Sequence, residues 1–261
     1  FGDFVYLSQV QQGLAIKTAV EYWRSLKPHN MGAIYWQLND TWLVASWSSL
    51  DHGGGWKVLH HLVKRFFKPS AVFAVPTPDG EAVRIVAVND RPDLVNMDIV
   101  MKSVALDGKE TVLSRISVTT PPDRAVDAAW LNARDIGNDR LLVFDYVVSD
   151  GTSGRGHLTL QPYKRLALTD PGIEVTTAVL DGIATVTLKA ARPALFVLLE
   201  ADVGGRFDDG GFDLMAGETR TIRFLANDQV DPGEVLASLI VRNLHSATYP
   251  PKQEAGQPAS T

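Results

Sequence analysis

MGAIYWQLND, residues 31–40, is a short apolar run bounded by Gly32 and by Asn39-Asp40, a pattern that reads as a buried strand better than as a helix. Before it, Leu7, Val10, Leu14, Thr18, Tyr22 and Trp23 recur at spacings of three and four, the stripe of an amphipathic helix with Asp3 as its N-cap and Pro28 and Asn30 at its close. After it a loop runs through Gly53-Gly54-Gly55, and WKVLHHLVKRFF then places Trp56, Leu59, Val63 and Phe66 or Phe67 on one helical face. The order over residues 1–69 is helix, strand, loop, helix. A lone strand between two helices cannot bury both of its faces, so this unit is expected to be the late part of a larger α/β domain whose beginning lies upstream. In an eight-stranded barrel such a strand would deliver its last residues, Trp36 to Asp40, to the face where active sites are built.

Beyond Pro69 the apolar period changes to two. Val83, Ile85 and Ala87 alternate with polar neighbours, as do Val95, Met97, Ile99 and Met101, and Val186 with Leu188. Asp-Gly pairs at Asp79, Asp107, Asp150, Asp181 and Asp209 supply residues that tolerate the backbone of tight hairpin turns. Six or seven strands are expected over 71–161 and about six over 173–243, near the number in one immunoglobulin-type sandwich each. The expected organisation is multi-domain: the terminal segment of a (β/α)8 barrel over 1–69, then immunoglobulin-like antiparallel β-sandwiches over 70–165 and 166–250. The join falls near Tyr163 to Thr169. Residues 251–261 lack large apolar side chains and read as a disordered tail.

Composition sets outer limits. The chain has 261 residues, 45% hydrophobic and 21% charged, a balance that excludes wholesale disorder and collagen. A net charge of -5 removes the electrostatic footprint of a nucleic-acid binder, and the absence of cysteine excludes disulfides, thiolate metal sites and cysteine nucleophiles. No stretch approaches the length of a membrane span, and the sequence from Phe1 onward shows no targeting signal and no initiator Met, so the expectation is that the start was removed or that this is a fragment. Residues 1–69 carry a net +3 and the remainder -8, which marks them as separate units.

Trp36, Trp42 and Trp47, close to Gln37, Asn39 and Asp40, combine aromatic faces for stacking on pyranose C–H groups with amide and carboxylate groups for hydroxyls. From burial habits alone, Trp23 and Trp56 read as core filler, while Trp36, Trp42 and Trp47 divide evenly between core and sugar contact. Other constellations carry less. His60 and His61 are adjacent on a helix and point about 100° apart, which suits packing rather than a shared metal. Gly53-Gly54-Gly55 lacks the spacing of a phosphate loop. Asp208-Asp209-Gly210-Gly211 with Asp213 reads as a hairpin turn before it reads as a calcium loop. Ser46, Ser48 and Ser49 with Asp51 and His52 lack a nucleophile elbow.

Taken together, YLSQVQQGLAIKTAVEYWR, MGAIYWQLNDTW and SWSSLDHGGGWKVLHHLVKRFFKP resemble the end of the catalytic barrel in β-mannosidases of glycoside hydrolase family 2. GRFDDGGFDLMAGETRTIRF is similar to the last sandwich domain of the same enzymes, where a Phe-Ser-Asp-Asn-like turn precedes a Leu-Pro-Gly-Glu-like hairpin. The resemblance covers residues 4–69 and 195–225, with only the all-β character shared over 70–165. It implies hydrolysis of terminal, non-reducing β-mannosyl residues with retention, which uses two carboxylates roughly 5 to 5.5 Å apart. In the family both are Glu on earlier barrel strands, in an Asn-Glu pair and a Ser-Glu-Phe-Gly-like stretch that this chain lacks, so no catalytic Glu is assigned here. Glu21, Glu81, Glu110, Glu174, Glu200, Glu218 and Glu234 are read as solvating side chains.

The same resemblance places Trp36 in the pocket for the terminal sugar, with Asn39 and Asp40 orienting that pocket or binding sugar, and Trp42 and Trp47 as second choices. No cofactor and no metal are expected. The expected partners are an upstream portion of the same enzyme that completes the barrel, and β-mannosides, with no nucleic acid and no membrane. A polysaccharide-degrading role favours the periplasm or the exterior. Two other readings stand beside it: a non-catalytic carbohydrate-binding or adhesive sandwich protein, and another family 2 enzyme such as an exo-β-glucosaminidase. A binding module has no reason to carry the helix, strand and helix of residues 1–69.

Overall fold

The computed structural model describes residues 1–249; the expected tail, 251–261, lies outside the described residues. Helix α1 spans Gly2–Arg24 and α2 spans Val58–Phe66. In α1 the buried positions are Tyr6, Val10, Gly13, Val20, Glu21 and Arg24, with Leu7 and Leu14 only partly covered and Tyr22 and Trp23 exposed. The face that packs is thus rotated from the expected stripe toward Tyr6. It meets α2 at Gly13, where a Cβ would lie 2.8 Å from a Leu62 methyl group, so the glycine lets the helices approach. Asp3 does not cap α1. Its carboxylate instead pairs with Arg242, whose Nε also reaches Glu200 at 2.8 Å.

The expected strand at 31–40 is not a strand here. Residues 31–36 pair with no other strand among the described residues, and only the end of the run, Gln37 to Asp40, exchanges backbone hydrogen bonds, with Ser49 and Leu50. A strand exists through its neighbours, and the apolar run of Ile34 and Trp36 finds none among the described residues. Among the described residues there is no barrel sheet. The second helix begins at Val58 rather than at Trp56, with Lys57 as its N-cap.

Strands follow without interruption by long helices. β1 (Ser70–Pro76), β2 (Ala82–Asn89) and β5 (Arg124–Asn132) form one antiparallel sheet. β3 (Val95–Ala105), β4 (Glu110–Thr120), β6 (Arg140–Val148) and β7 (Ser153–Thr159) form a second, in the order β4-β3-β6-β7, with the short α3 (Ala133–Ile136) between β5 and β6. The two sheets face each other across Val83, Ile85, Met97, Ile99, Met101, Leu142 and Phe144. Beyond a turn at Tyr163–Arg165 come β8 (Ile173–Leu180), β9 (Ile183–Ala190), β10 (Ala194–Glu200), β11 (Gly205–Phe207), β12 (Phe212–Leu214), β13 (Thr219–Ala226), α4 (Pro232–Ala237), β14 (Ile240–Arg242) and α5 (Leu244–Thr248). They build a β11-β13-β9-β8 sheet and a β12-β10-β14 sheet around Val186, Leu188, Val197, Phe212, Ile222 and Phe224.

Four of the five Asp-Gly pairs close hairpins, and at Asp181-Gly182 both residues have positive φ, 51° and 77°, as a type I′ turn requires. Asp209-Gly210 does not. It lies between β11 and β12, which belong to different sheets, so the chain crosses over there instead of folding back. The Asp209 carboxylate is drawn out of a turn role by Arg65 and Arg220, which both donate to it.

A third core joins these parts. β1 turns Val72 into its own sandwich and Ala71, Phe73 and Val75 outward, where they meet Tyr6, Val10, Val20, Leu59, Leu62 and Phe66 of the helices. β10 does the same, sending Val197 and Leu199 inward and Leu195 and Leu198 to the helices. Buried Arg24 fixes the other end of α1: it donates to Lys68 O and to Asp90 Oδ2, both at 2.8 Å, and Lys27 joins Asp90 at 2.7 Å. No helix among the described residues is long and apolar enough to cross a membrane.

The three parts converge on Phe196, held at φ 54° where β10 shifts register. Such a backbone costs a bulky residue about 1 to 3 kcal/mol, and its use is visible in the hydrogen bonds. The Phe196 N–H donates to Asp213 Oδ1, and its carbonyl accepts from the Tyr6 hydroxyl at 2.6 Å. The other oxygen of Asp213 meets His157 Nδ1, while His157 Nε2 lies 2.7 Å from the Tyr163 hydroxyl. Tyr6→Phe leaves the buried Phe196 carbonyl without this donor. It should lower the unfolding free energy of the chain by about 1 to 3 kcal/mol in urea denaturation, with the secondary structure unchanged by circular dichroism.

Candidate functional site

The chain between α1 and α2 is where the expected site residues fall, and its organising group is the Asp40 carboxylate. Asp40 is buried. It accepts hydrogen bonds from Ser46 Oγ, from Ser48 Oγ at 2.6 Å and from Lys57 Nζ at 3.1 Å. Ser48 is fully buried and takes a further hydrogen bond from Lys57 Nζ at 2.7 Å. The hydroxyls of Ser46 and Ser48, with Lys57 behind them, hold the Asp40 carboxyl at about 2, well below the usual carboxylate range. With these donors in place, Asp40 acts on the loop that leaves it at Thr41 and returns at Ser46.

Ser49 performs the neighbouring task. Its buried hydroxyl donates to Leu38 O at 2.9 Å and lies 2.9 Å from both the Tyr35 hydroxyl and His60 Nδ1, linking the extended segment to α2. Trp56 packs edge-on against His60 at 4.4 Å between ring centres, and Arg206 lies over the indole at 4.8 Å. Burial first, and then Arg206, keep His60 below the ordinary imidazole range. The three serines are thus spent on Asp40 and His60, and Asp51 on the Gly55 N–H at 2.7 Å, which closes the triglycine loop. Among the described residues no serine hydroxyl is hydrogen-bonded to Asp51 or His52.

The tryptophans divide clearly. Trp36, Trp42 and Trp47 are 75%, 66% and 63% exposed, so none is core filler in this chain. Trp56 is partly buried by packing, whereas Trp23, expected as filler, is exposed. Asn39 is exposed beside them, with Gln37 Nε2 donating to its carbonyl at 2.8 Å, and the Trp36–Gln37 peptide is cis. Trp47 is anchored through its backbone, its carbonyl accepting from Gln12 Nε2 of α1 at 2.6 Å. The structure therefore brings Asp40, Ser46, Ser48 and Lys57 into one buried cluster and leaves Trp36, Asn39, Trp42 and Trp47 on the surface around it.

Lys57 and the serines are the positions that sequence spacing does not mark. They stand 6, 8 and 17 residues beyond Asp40, a separation with no helical or strand period. The glutamates also differ from expectation. Glu81, Glu174 and Glu234 are exposed, but Glu21, Glu110, Glu200 and Glu218 pair with Lys17, Lys102, Arg242 and Arg155.

Three comparisons with known proteins give this arrangement a context. Residues 168–247 match Ig_mannosidase, an Ig-fold domain family. Over 94% of its length the chain is 32% identical to the β-mannosidase of Capra hircus and 30% identical to that of Bos taurus, and over 95% it is 25% identical to β-mannosidase A of Aspergillus terreus. Among solved structures it shares its fold with a β-D-mannosidase from Dictyoglomus thermophilum, with a TM-score of 0.77 at 24% identity over 93% of this chain and 30% of that one. An exo-chitosanase from Amycolatopsis orientalis gives 0.63 at 18% identity, over 93% of this chain and 34% of that one.

The chain is a homologue of the β-mannosidases of glycoside hydrolase family 2, as the strings around Trp36 and Phe207 suggest. It spans about 30% of the length of the relatives it matches.

Asp40→Asn should loosen the Thr41 to Trp47 loop, because Lys57 loses its buried counter-charge. A carboxyl with a lowered folded-state pKa stabilises the fold above its unfolded value, near 3.8, and that contribution disappears as the pH falls toward about 2. Melting temperatures from pH 7 down to pH 2 should fall more steeply at the acid end for the unmodified chain than for Asp40→Asn.

Proposed function

We propose that this chain is the carboxy-terminal part of a retaining β-mannosidase. In this reading residues 1–69 are the last part of a (β/α)8 catalytic barrel, and 70–165 and 166–250 are two immunoglobulin-like sandwiches. The exposed indoles of Trp36, Trp42 and Trp47, with Asn39 beside them, line the pocket for a terminal β-mannosyl residue. Asp40 positions that wall without touching sugar. Both catalytic Glu lie on a companion segment outside this chain, which also covers the unpaired backbone of residues 31–36.

The observation that carries the reading is an inversion of ordinary burial in a single segment. Ile34 and Leu43 are 94% and 88% exposed, and three indoles stand in water, while the polar Asp40, Ser48 and Ser49 beneath them are buried and hydrogen-bonded. Apolar groups presented on a rigid polar scaffold suit a surface that another wall completes. The 32% identity to a β-mannosidase over 94% of the chain supports a β-mannoside as the substrate class. Stacking of C–H faces on indole and hydrogen bonds from Asn39 orient the sugar, and the upstream carboxylates perform the double displacement.

With an aryl β-mannoside, residues 1–261 alone should show no turnover. The longer polypeptide that includes a barrel should be active, and in it Trp36→Ala should lower kcat/KM at least about tenfold while leaving the melting temperature nearly unchanged, since a side chain that lines an open sugar pocket adds little to core packing. Turnover by the chain alone that is lost on changing one of its own Glu residues would overturn the proposal. So would an active longer protein with unaltered kinetics in Trp36→Ala. An aryl β-glucosaminide assayed in parallel distinguishes the glucosaminidase alternative.

A further inference from the structure

A cleft of about 420 Å³ opens where the end of α2, strand β7 and the β11–β12 crossover meet. Three local patterns put charge there. The last turn of α2 and the residues after it supply Lys64, Arg65 and Lys68. Alternation along β7 turns Gly154 and Gly156 toward the Tyr146 and Phe144 rings, where a Cβ would lie 2.3 Å from ring carbon, and leaves Arg155 on the other face. The crossover contributes Asp209, and Arg220 reaches in from β13.

The lining holds six Lys or Arg side chains against three Asp. The three carboxylates are already occupied. Asp209 accepts from Arg65 at 2.6 Å and from Arg220, Asp145 accepts from Arg155 at 2.6 Å, and Asp213 is taken by His157. Of the lysines, Lys17 pairs with Glu21 at 2.8 Å. Lys64 and Lys68 have no carboxylate partner among the described residues: Lys68 Nζ donates to Ser153 O at 2.7 Å, and Lys64 Nζ to Asp208 O at 3.4 Å. An ammonium has three donors, so both retain N–H groups for a ligand. Arg155 is held by Glu218 at 2.7 Å as well as by Asp145, so the charge left without a carboxylate is that of Lys64 and Lys68; burial, and then Arg65, Lys64 and Arg220 against the pull of Asp209, hold Lys68 below the usual lysine range.

We propose that this cleft binds a tetrahedral oxyanion, phosphate or sulfate, with Lys64 and Lys68 as its principal ligands and the Arg65–Asp209–Arg220 bridge as a rigid cationic wall. Charge-assisted bonds from lysine suit such a point-like anion. The cleft is much larger than the ion, and its size falls in the range of small-molecule sites, so it has room for a sugar that carries the group. The inference does not rest on the sugar-pocket reading.

Isothermal titration of the full chain at fixed ionic strength tests it, with inorganic phosphate, inorganic sulfate, a hexose 6-phosphate and the neutral hexose. Saturable binding is expected for the anions with Kd near or below about 1 mM, and none for the neutral hexose. The K64Q/K68Q double variant should bind at least about tenfold more weakly at an unchanged melting temperature; if it fails to fold, Lys68→Gln alone serves. Tighter binding of the hexose phosphate than of free phosphate assigns a sugar-borne group, and equal or weaker binding assigns the free ion. Absence of saturable binding for every anion, or binding indifferent to both lysine changes, overturns the proposal.

Discussion

Burial of β1 and β10 on both faces is the constraint on which the rest of the chain depends. Each strand already satisfies its own sandwich with one set of side chains, and the other set would stand in water without α1 and α2. Burying an aliphatic or aromatic side chain is worth about 1.5 to 3 kcal/mol, so covering Phe73, Val75, Leu195 and Leu198 offsets much of the ordering cost of the helical cap. The cap in turn sets where the Trp36 to Trp47 segment emerges. The segment hangs between two helices whose positions are fixed by the sandwiches.

Charge follows the same division. Residues 1–69 carry net positive charge and the remainder net negative, and three of the bridging contacts, Arg24 and Lys27 to Asp90 and Arg65 to Asp209, run from the basic part to the acidic one. The asymmetry that marks two units in the sequence is, in the structure, the means by which they adhere. Arg24 shows how much the environment matters. It is buried, and Asp90 together with the carbonyls of Phe66 and Lys68 gives its guanidinium the partners that an uncompensated charge would lack.

What could be read from residues alone was whatever depends on near neighbours. Val83, Ile85 and Ala87 alternate because β2 has an inward face, and Asp-Gly closes hairpins where the turn needs positive φ. The same local reading misses whatever distant partners decide. SAVFAV and ALFVLL are continuous apolar runs because both faces of β1 and β10 are covered, and nothing nearby in the chain says by what. Asp209-Gly210 resembles the other Asp-Gly pairs, yet Arg65, 144 residues earlier, makes it a crossover. Asp40 stands out among its sequence neighbours, but its partners Ser46, Ser48 and Lys57 do not, and neither does its burial. The run at 31–40 has the composition of a strand and lacks the neighbours that would make it one.

The hydrogen bond from Tyr6 to the Phe196 carbonyl spans 190 residues, and that separation has a meaning in time. A ribosome adds about 5 to 20 residues per second, so α1 leaves it roughly 10 to 40 s before the strand that will receive Tyr6 has been made. Throughout that interval Tyr6 and Val10 belong to a helix with no β10 to pack on, and the first sandwich, whose last strand ends at Thr159, is made in full before β10 follows. The helical cap, first in the chain, is among the last parts to be seated.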